Sequence, residues 1–253
     1  MNENPIEEIT VYSLESFLPE IVPTLAFDRI PIYRGQARSS WAVLPALLRE
    51  DLAATEFGSW TDLESSLLTR WKQRARNDLA PEPATELEWM ALGQHHGLPT
   101  RLTAWSENAL VALWYATAPD ASGDDGVVWR ILPGDDSLCV RQDYEQIPDR
   151  IRLYQAPRRS AAQRNQRTIC LSHPVPEDSG SAPSLEEYLA AGRERLHVAR
   201  ITVPESWKRS LREELSKVGV DSYLLNPGLG GLCEQIGSEI YRHTDSYEWV
   251  FPQ

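Results

Sequence analysis

Cysteine and long apolar runs are scarce in this chain. Three cysteines, Cys139, Cys170 and Cys233, occur in 253 residues. They form neither a CxxC pair nor an even-numbered set, so the sequence indicates a reducing compartment rather than a disulfide framework. No apolar run approaches the roughly 18 residues that span a bilayer. The first ten residues lack the basic and apolar regions of a signal peptide. We therefore expect a cytoplasmic protein that does not engage a membrane.

Positive charge is also in short supply. The sequence has 25 Lys and Arg against 37 Asp and Glu, a formal net charge of −12. Such a surface repels polyphosphate, so we expect no non-specific DNA binding. A local basic patch could still bind one small nucleotide ligand.

Several catalytic signatures are missing as well. The sequence contains no GxSxG elbow, no GxxxxGK[ST] loop and no GxGxxG after a strand. His95 and His96 are neighbours, so on a helix they point about 100° apart and cannot both hold one metal ion. We expect no metal site.

The periodicity of apolar residues predicts one α+β domain with a mixed, mainly antiparallel sheet and a helical insertion near residues 45–97. Residues 1–27 are expected to form an N-terminal extension that packs on the domain, 28–253. Ser106 is predicted to cap a helix that runs through Ala118. Strands are predicted in IPIYRG, RLTAW, GVVWRILP, TICLSHP, HVARITVP and DSYLLNP. Helices are predicted at residues 56–79 and 86–96, in SWKRSLREELSKVGV and after the glycine turn of GLGGL.

Three short patterns suggest ligand contacts, each with a structural alternative. Arg34 leaves a strand beside Gly35, which would let a phosphate or carboxylate approach the arginine fork; an ion pair with a protein carboxylate is the alternative. His95 could be a general acid or base, or a cap at a helix C-terminus. Ser106 could contact an anion or a ribose hydroxyl, or only cap a helix.

Arginine is concentrated between residues 150 and 167. Six arginines occur there without an Asp or Glu between them: Arg150, Arg152, Arg158, Arg159, Arg164 and Arg167. They could line a groove for a dinucleotide or an RNA end, or form salt bridges with the acidic remainder of the chain.

Taken together, the motifs resemble the FRG domain, a bacterial and phage family named for its [FY]-R-G motif. The similarity begins at Tyr33-Arg34-Gly35-Gln36 and is strongest at QHHGLPTRL, residues 94–102. Arg159 with Gln163 resembles the family's R-x-x-x-Q element, and residues 225–232 resemble its C-terminal motif. Where the family reads PTRLLDW, this chain has Thr103 and Ala104, so an acidic residue is missing.

A more distant similarity is to ADP-ribosyltransferases of the arginine–serine–glutamate type. It implies NAD as a substrate, with a protein or RNA acceptor, in phage or toxin conflict. Arg34 and residues 103–116 carry this similarity, and Glu234 or Glu239 is the candidate glutamate by order along the chain. From the motifs and both resemblances together, the expected catalytic residues are Arg34, His95, Arg101 and Glu234. The expected cofactor-binding residues are Tyr33, Gly35, Gln94, Thr100, Thr103, Ser106, Arg159 and Gln163.

Three functions remain open from the sequence. The first is an NAD-using transferase or glycohydrolase, the second a non-catalytic module that binds a nucleotide or an RNA end. The third is a protein-interaction module, consistent with nine tryptophans and with Ala104 in place of the acidic residue.

Overall fold

A computed structural model describes residues 6–22, 30–79, 81–132, 150–176, 182–191 and 197–240. Cys139 lies outside these ranges. In the part described, the α+β prediction is confirmed: helices surround one mixed sheet of seven strands. No helix in these ranges is long and apolar enough to cross a membrane.

The sheet has the order β1-β7-β4-β2-β3-β6-β5. All neighbours are antiparallel except β1 and β7, which run parallel. The strands are β1 (Ile6–Thr10), β2 (Ile32–Gln36), β3 (Leu102–Ser106), β4 (Gly126–Leu132), β5 (Arg152–Tyr154), β6 (Thr168–Ser172) and β7 (His197–Val203).

The helices described are α1 (Leu14–Ile21), α2 (Trp60–Ala75), α3 (Glu86–His95), α4 (Ala109–Ala116), α5 (Ala161–Asn165), α6 (Leu185–Ala190), α7 (Glu205–Lys217), α8 (Ser222–Leu225) and α9 (Leu229–Ile240). The helical insertion is confirmed, because α2 and α3 with their short 3-10 turns all lie between β2 and β3. The N-terminal β1 and α1 contact β7 and α7. The division of the chain after residue 27 stays a prediction.

Two local predictions are wrong. The DSYLLNP segment is a short helix, α8, because the Asp221 carboxylate accepts a hydrogen bond from the Leu224 backbone N–H and caps it. Ser106 ends β3 and does not cap α4. Asn108 does so by accepting from the Leu110 N–H.

Two glycines allow α4 to lie directly on the sheet. A Cβ on Gly35 in β2 would lie 1.8 Å from the carbonyl oxygen of Ala112, and one on Gly126 in β4 would lie 2.0 Å from that of Ala116. At these two positions any residue with a Cβ would clash with the α4 backbone. The small residues of α4 and these two glycines therefore fix the helix against β2 and β4.

Candidate ligand cleft between two diverging strands

Strands β2 and β3 diverge and leave a cleft. β2 pairs with β4 at five positions but with β3 only at Tyr33 opposite Ser106. The cavity has a volume of about 330 Å³. The residues that line it are Tyr33, Arg34, Gly35, Gln94, His95, Ala104, Trp105, Ser106, Val111, Ala112, Tyr115, Gln166, Thr168 and Asn226.

Arg34 is the most unusual residue of the cleft. Its Nη1 donates to the Ala104 carbonyl oxygen at 2.7 Å, across the gap between the strands. Its Nε is buried and has no hydrogen-bond partner. No carboxylate of the described residues pairs with it. Burial, with a smaller contribution from the charge of Arg49, lowers the Arg34 pKa to about 10. The guanidinium is still a cation at neutral pH, and it lacks a counter-ion in the described part of the chain.

Gly35 lines the cleft and also has a packing role. Its missing side chain is needed for the close approach of α4, as the Ala112 contact shows. Helix α4 in turn forms a wall of the cleft through Val111, Ala112 and Tyr115.

His95 lies at the C-terminal end of α3 and lines the cleft beside Gln94. Its Nε2 is 3.0 Å from the Ser160 Oγ. Burial, and secondly the neighbouring His96, lower the His95 pKa. Near neutral pH the imidazole is therefore held in its uncharged form.

Tyr115 was not singled out from the sequence. It lines the cleft from α4. Burial and then the Glu234 carboxylate raise its pKa, with an opposing effect from Arg212. The residue is 39 % exposed.

Arg101 and Thr100 do not line the cleft. The Arg101 side chain donates from Nε and Nη2 to the Glu64 carboxylate of α2, with Nε–oxygen distances of 2.8 and 2.9 Å. Both side chains are buried. The Thr100 Oγ1 accepts from the Leu102 N–H at 3.2 Å. In the structure these two residues hold the start of β3 to the helical insertion.

Thr103 takes part in a buried hydrogen-bond network. Its Oγ1 accepts from the Trp105 Nε1 at 2.9 Å and is 3.0 Å from the His173 Nε2. Burial, with Arg34 as a second cause, lowers the His173 pKa to about 3. His173 lies in the predicted strand TICLSHP, one residue beyond the end of β6, but no spacing in the sequence relates it to Arg34.

The R-x-x-x-Q element lies beside the cleft without lining it. Arg159 pairs with Glu88 at 3.1 Å, and Gln163 forms a reciprocal capping box with Ser160 at the start of α5. In the same segment, Arg158 pairs with Glu107. Ion pairing therefore accounts for two of the clustered arginines.

The two candidate glutamates both lie on α9. Glu234 is 3.8 Å from Arg212, and Glu239 accepts from Gln235. Neither lines the cleft, and its described lining contains no carboxylate. Within the ranges described, no group of His, Cys, Asp or Glu has the arrangement of a metal site.

The comparison with protein families agrees with the motif at Arg34. Residues 29–125 match the FRG domain. This matched FRG segment contains β2, β3, α3 and α4, and so most of the cleft. It ends before Arg159, Gln163 and residues 225–232, whose likeness to FRG motifs stays a prediction. No curated protein and no solved structure matches the chain.

Proposed function

We propose that this FRG-domain protein binds a phosphorylated nucleotide in the cleft, with a phosphate on Arg34. The buried, unpaired Nε of Arg34 carries this proposal. A buried charge without a counter-ion is costly, and a bound anion would supply the missing charge. Because Nη1 is already bonded to Ala104, the edge formed by Nε and Nη2 is the one that would receive a phosphate bidentately.

The size of the cleft supports a nucleotide. Small-molecule pockets occupy roughly 300–1,000 Å³, so about 330 Å³ suits a mononucleotide or one half of a dinucleotide. Tyr115 lines the cleft and is 39 % exposed, so its ring is the aromatic group on which a base could stack.

A second candidate function is consumption of NAD by a transferase or glycohydrolase. It is supported by Arg34 lying opposite the hydroxyl-bearing end of β3, where Ser106 lines the cleft. Stabilisation of an oxocarbenium-like transition state requires a nearby negative charge. The described lining holds none, which favours binding without turnover. A protein or RNA acceptor would be required only if the protein is a transferase.

The binding proposal is tested by calorimetric titration with AMP, ADP, ATP, ADP-ribose and NAD. We expect binding that weakens as salt rises, and a loss of at least about tenfold in Arg34→Gln, as for removal of a charge-assisted hydrogen bond. Arg38→Gln is the matched control, because Arg38 lies just after β2 but pairs with Asp120 and does not line the cleft. Absence of binding across the panel would refute the proposal.

Turnover is tested separately by chromatography of nicotinamide released from NAD. Release that Arg34→Gln abolishes would support the enzyme. Nucleotide binding without release would establish a binding module and reject NAD consumption.

A further inference from the structure

Ser160 connects helix α5 to the cleft. Its Oγ accepts a hydrogen bond from the Gln163 backbone N–H at 3.0 Å, while the Gln163 Oε1 accepts from the Ser160 N–H at 3.0 Å. The same Oγ lies 3.0 Å from the His95 Nε2. Ser160 therefore both caps α5 and contacts a residue that lines the cleft.

The hydrogen-bonding capacity of Ser160 assigns the proton between it and His95. A serine hydroxyl has one proton to donate and lone pairs to accept with. The Gln163 N–H uses a lone pair, and no other acceptor for the Ser160 proton is present among the described residues. With Nε2 as the only described acceptor, the proposed arrangement has the hydroxyl donate to Nε2. A neutral imidazole with an acceptor at Nε2 carries its proton on Nδ1.

The His95 Nδ1 has no hydrogen bond with a described residue. Since His95 lines the cleft, its N–H is available to an acceptor on a bound molecule. We propose that Ser160 is a positioning residue that holds His95 with its proton on Nδ1, where it donates a hydrogen bond to the ligand of the cleft. The donation to a ligand rests on the proposed nucleotide-binding function, whereas the position of the proton does not.

Three substitutions of Ser160 distinguish its capping of α5 from its hydrogen bond with His95. Ser160→Thr keeps the hydroxyl and the cap, and Ser160→Ala removes both. Ser160→Asp keeps a good cap, but its carboxylate accepts and cannot donate. It should therefore move the His95 proton to Nε2.

The decisive measurement is the nitrogen NMR spectrum of the histidine rings in the ligand-free full chain above neutral pH, with His95→Gln assigning the signals. We expect an acceptor-type Nε2 in the native chain and in Ser160→Thr, a tautomer mixture in Ser160→Ala, and an acceptor-type Nδ1 in Ser160→Asp. A proton on Nε2 in the native chain, or a tautomer unchanged in Ser160→Ala, overturns the proposal.

ADP titration then tests the donation to a ligand. Ser160→Ala should weaken ADP binding about fivefold, the typical value of one neutral hydrogen bond, and Ser160→Thr should restore it. Equal affinities of Ser160→Ala and the native chain would overturn the donation. If the native chain binds no nucleotide, the proposed function fails while the spectrum still decides the position of the proton.

Discussion

Two arginines of the FRG segment, the buried Arg101 and the half-buried Arg34, lie in opposite environments. Arg101 donates through its side chain and its backbone to the Glu64 carboxylate, and it joins β3 to α2. The Arg34 side chain lies between β2 and β3. Its Nη1 donates to one carbonyl oxygen, its buried Nε has no hydrogen-bond partner, and no carboxylate of the described residues pairs with it. Both arginines belong to segments that resemble FRG motifs, yet only one of them lines the cleft.

The contrast is between a structural role for Arg101 and the ligand-binding role proposed for Arg34. A buried charge that is matched inside the protein holds two elements together, and it has little capacity left for a ligand. A buried charge that is unmatched costs stability, and groups with a strongly shifted pKa are concentrated at functional sites. The next four experiments test this contrast.

The largest effect is expected on the paired side. Glu64→Gln should leave the Arg101 charge buried without its partner and lower the free energy of unfolding by about 3–5 kcal/mol. Urea unfolding measures it. The control is Glu82→Gln, because Glu82 forms an exposed pair with Arg76 and should change stability by less than about 0.5 kcal/mol. A cost below about 1 kcal/mol for Glu64→Gln would remove the distinction between the two arginines.

The position of α4, which forms one wall of the cleft, should depend on its close packing against Gly35. Gly35→Ala places a Cβ against the Ala112 carbonyl oxygen, so we expect a loss of about 1–3 kcal/mol from overpacking and a displaced α4. Gly230→Ala is the matched control, because no atom lies within 4 Å of the added Cβ and alanine favours the α9 helix. Equal unfolding free energies for the two variants would contradict this account.

The charge of Arg34 should also appear in the pH dependence of stability. Burial and Arg34 hold the folded-state pKa of His173 at about 3, against about 6.5 in an unfolded chain. As pH falls from about 6.5 towards 3, the unfolded state binds a proton that the folded state rejects, so stability decreases.

We expect His173 to contribute a loss of about 1 kcal/mol between about pH 6.5 and 5.5, and His173→Gln to remove it. Urea unfolding at the two pH values measures the difference. An identical pH slope in the variant would show that His173 is not held neutral.

The smallest effect on stability is expected at Arg34 itself. Arg34→Met removes a buried charge without a counter-ion and deprives the Ala104 carbonyl of one donor, so the two changes oppose each other. We expect a change within about 1 kcal/mol. Arg101→Met should cost several times more, because it leaves the Glu64 carboxylate buried alone. Similar losses for both methionine variants would mean that Arg34 is a structural arginine like Arg101.

The sequence predicted those elements whose signals are local. The apolar residues of GVVWRILP predicted β4 as a buried strand. The three-and-four spacing from Trp60 onward predicted α2, and Gly97 marked the end of α3. Arg34, Gln94, His95 and Ser106, selected by motif, do line one cleft. Each of them lies in, or close in the sequence to, the strand or helix end that places it at the cleft.

The remaining assignments depended on contacts that no local pattern records. The partner of Arg101 is Glu64 on another helix, and Gly35 is required by the backbone of α4. His173 reaches Thr103 only because β6 pairs with β3. In each case the deciding neighbour is distant along the chain, so a motif identifies the residue without its partner.

The parallel pair of β1 and β7 has a consequence for how the protein acquires its structure. Ile6 is in register with Val198, and Glu8 is bonded to Arg200 across 192 positions of sequence. During synthesis β1 has no strand to pair with until β7 emerges from the ribosome. Such distant pairing carries a high cost of loop closure and slows folding. We therefore expect the β1 edge to be the last part of the sheet to form, after β2 and β4 have met.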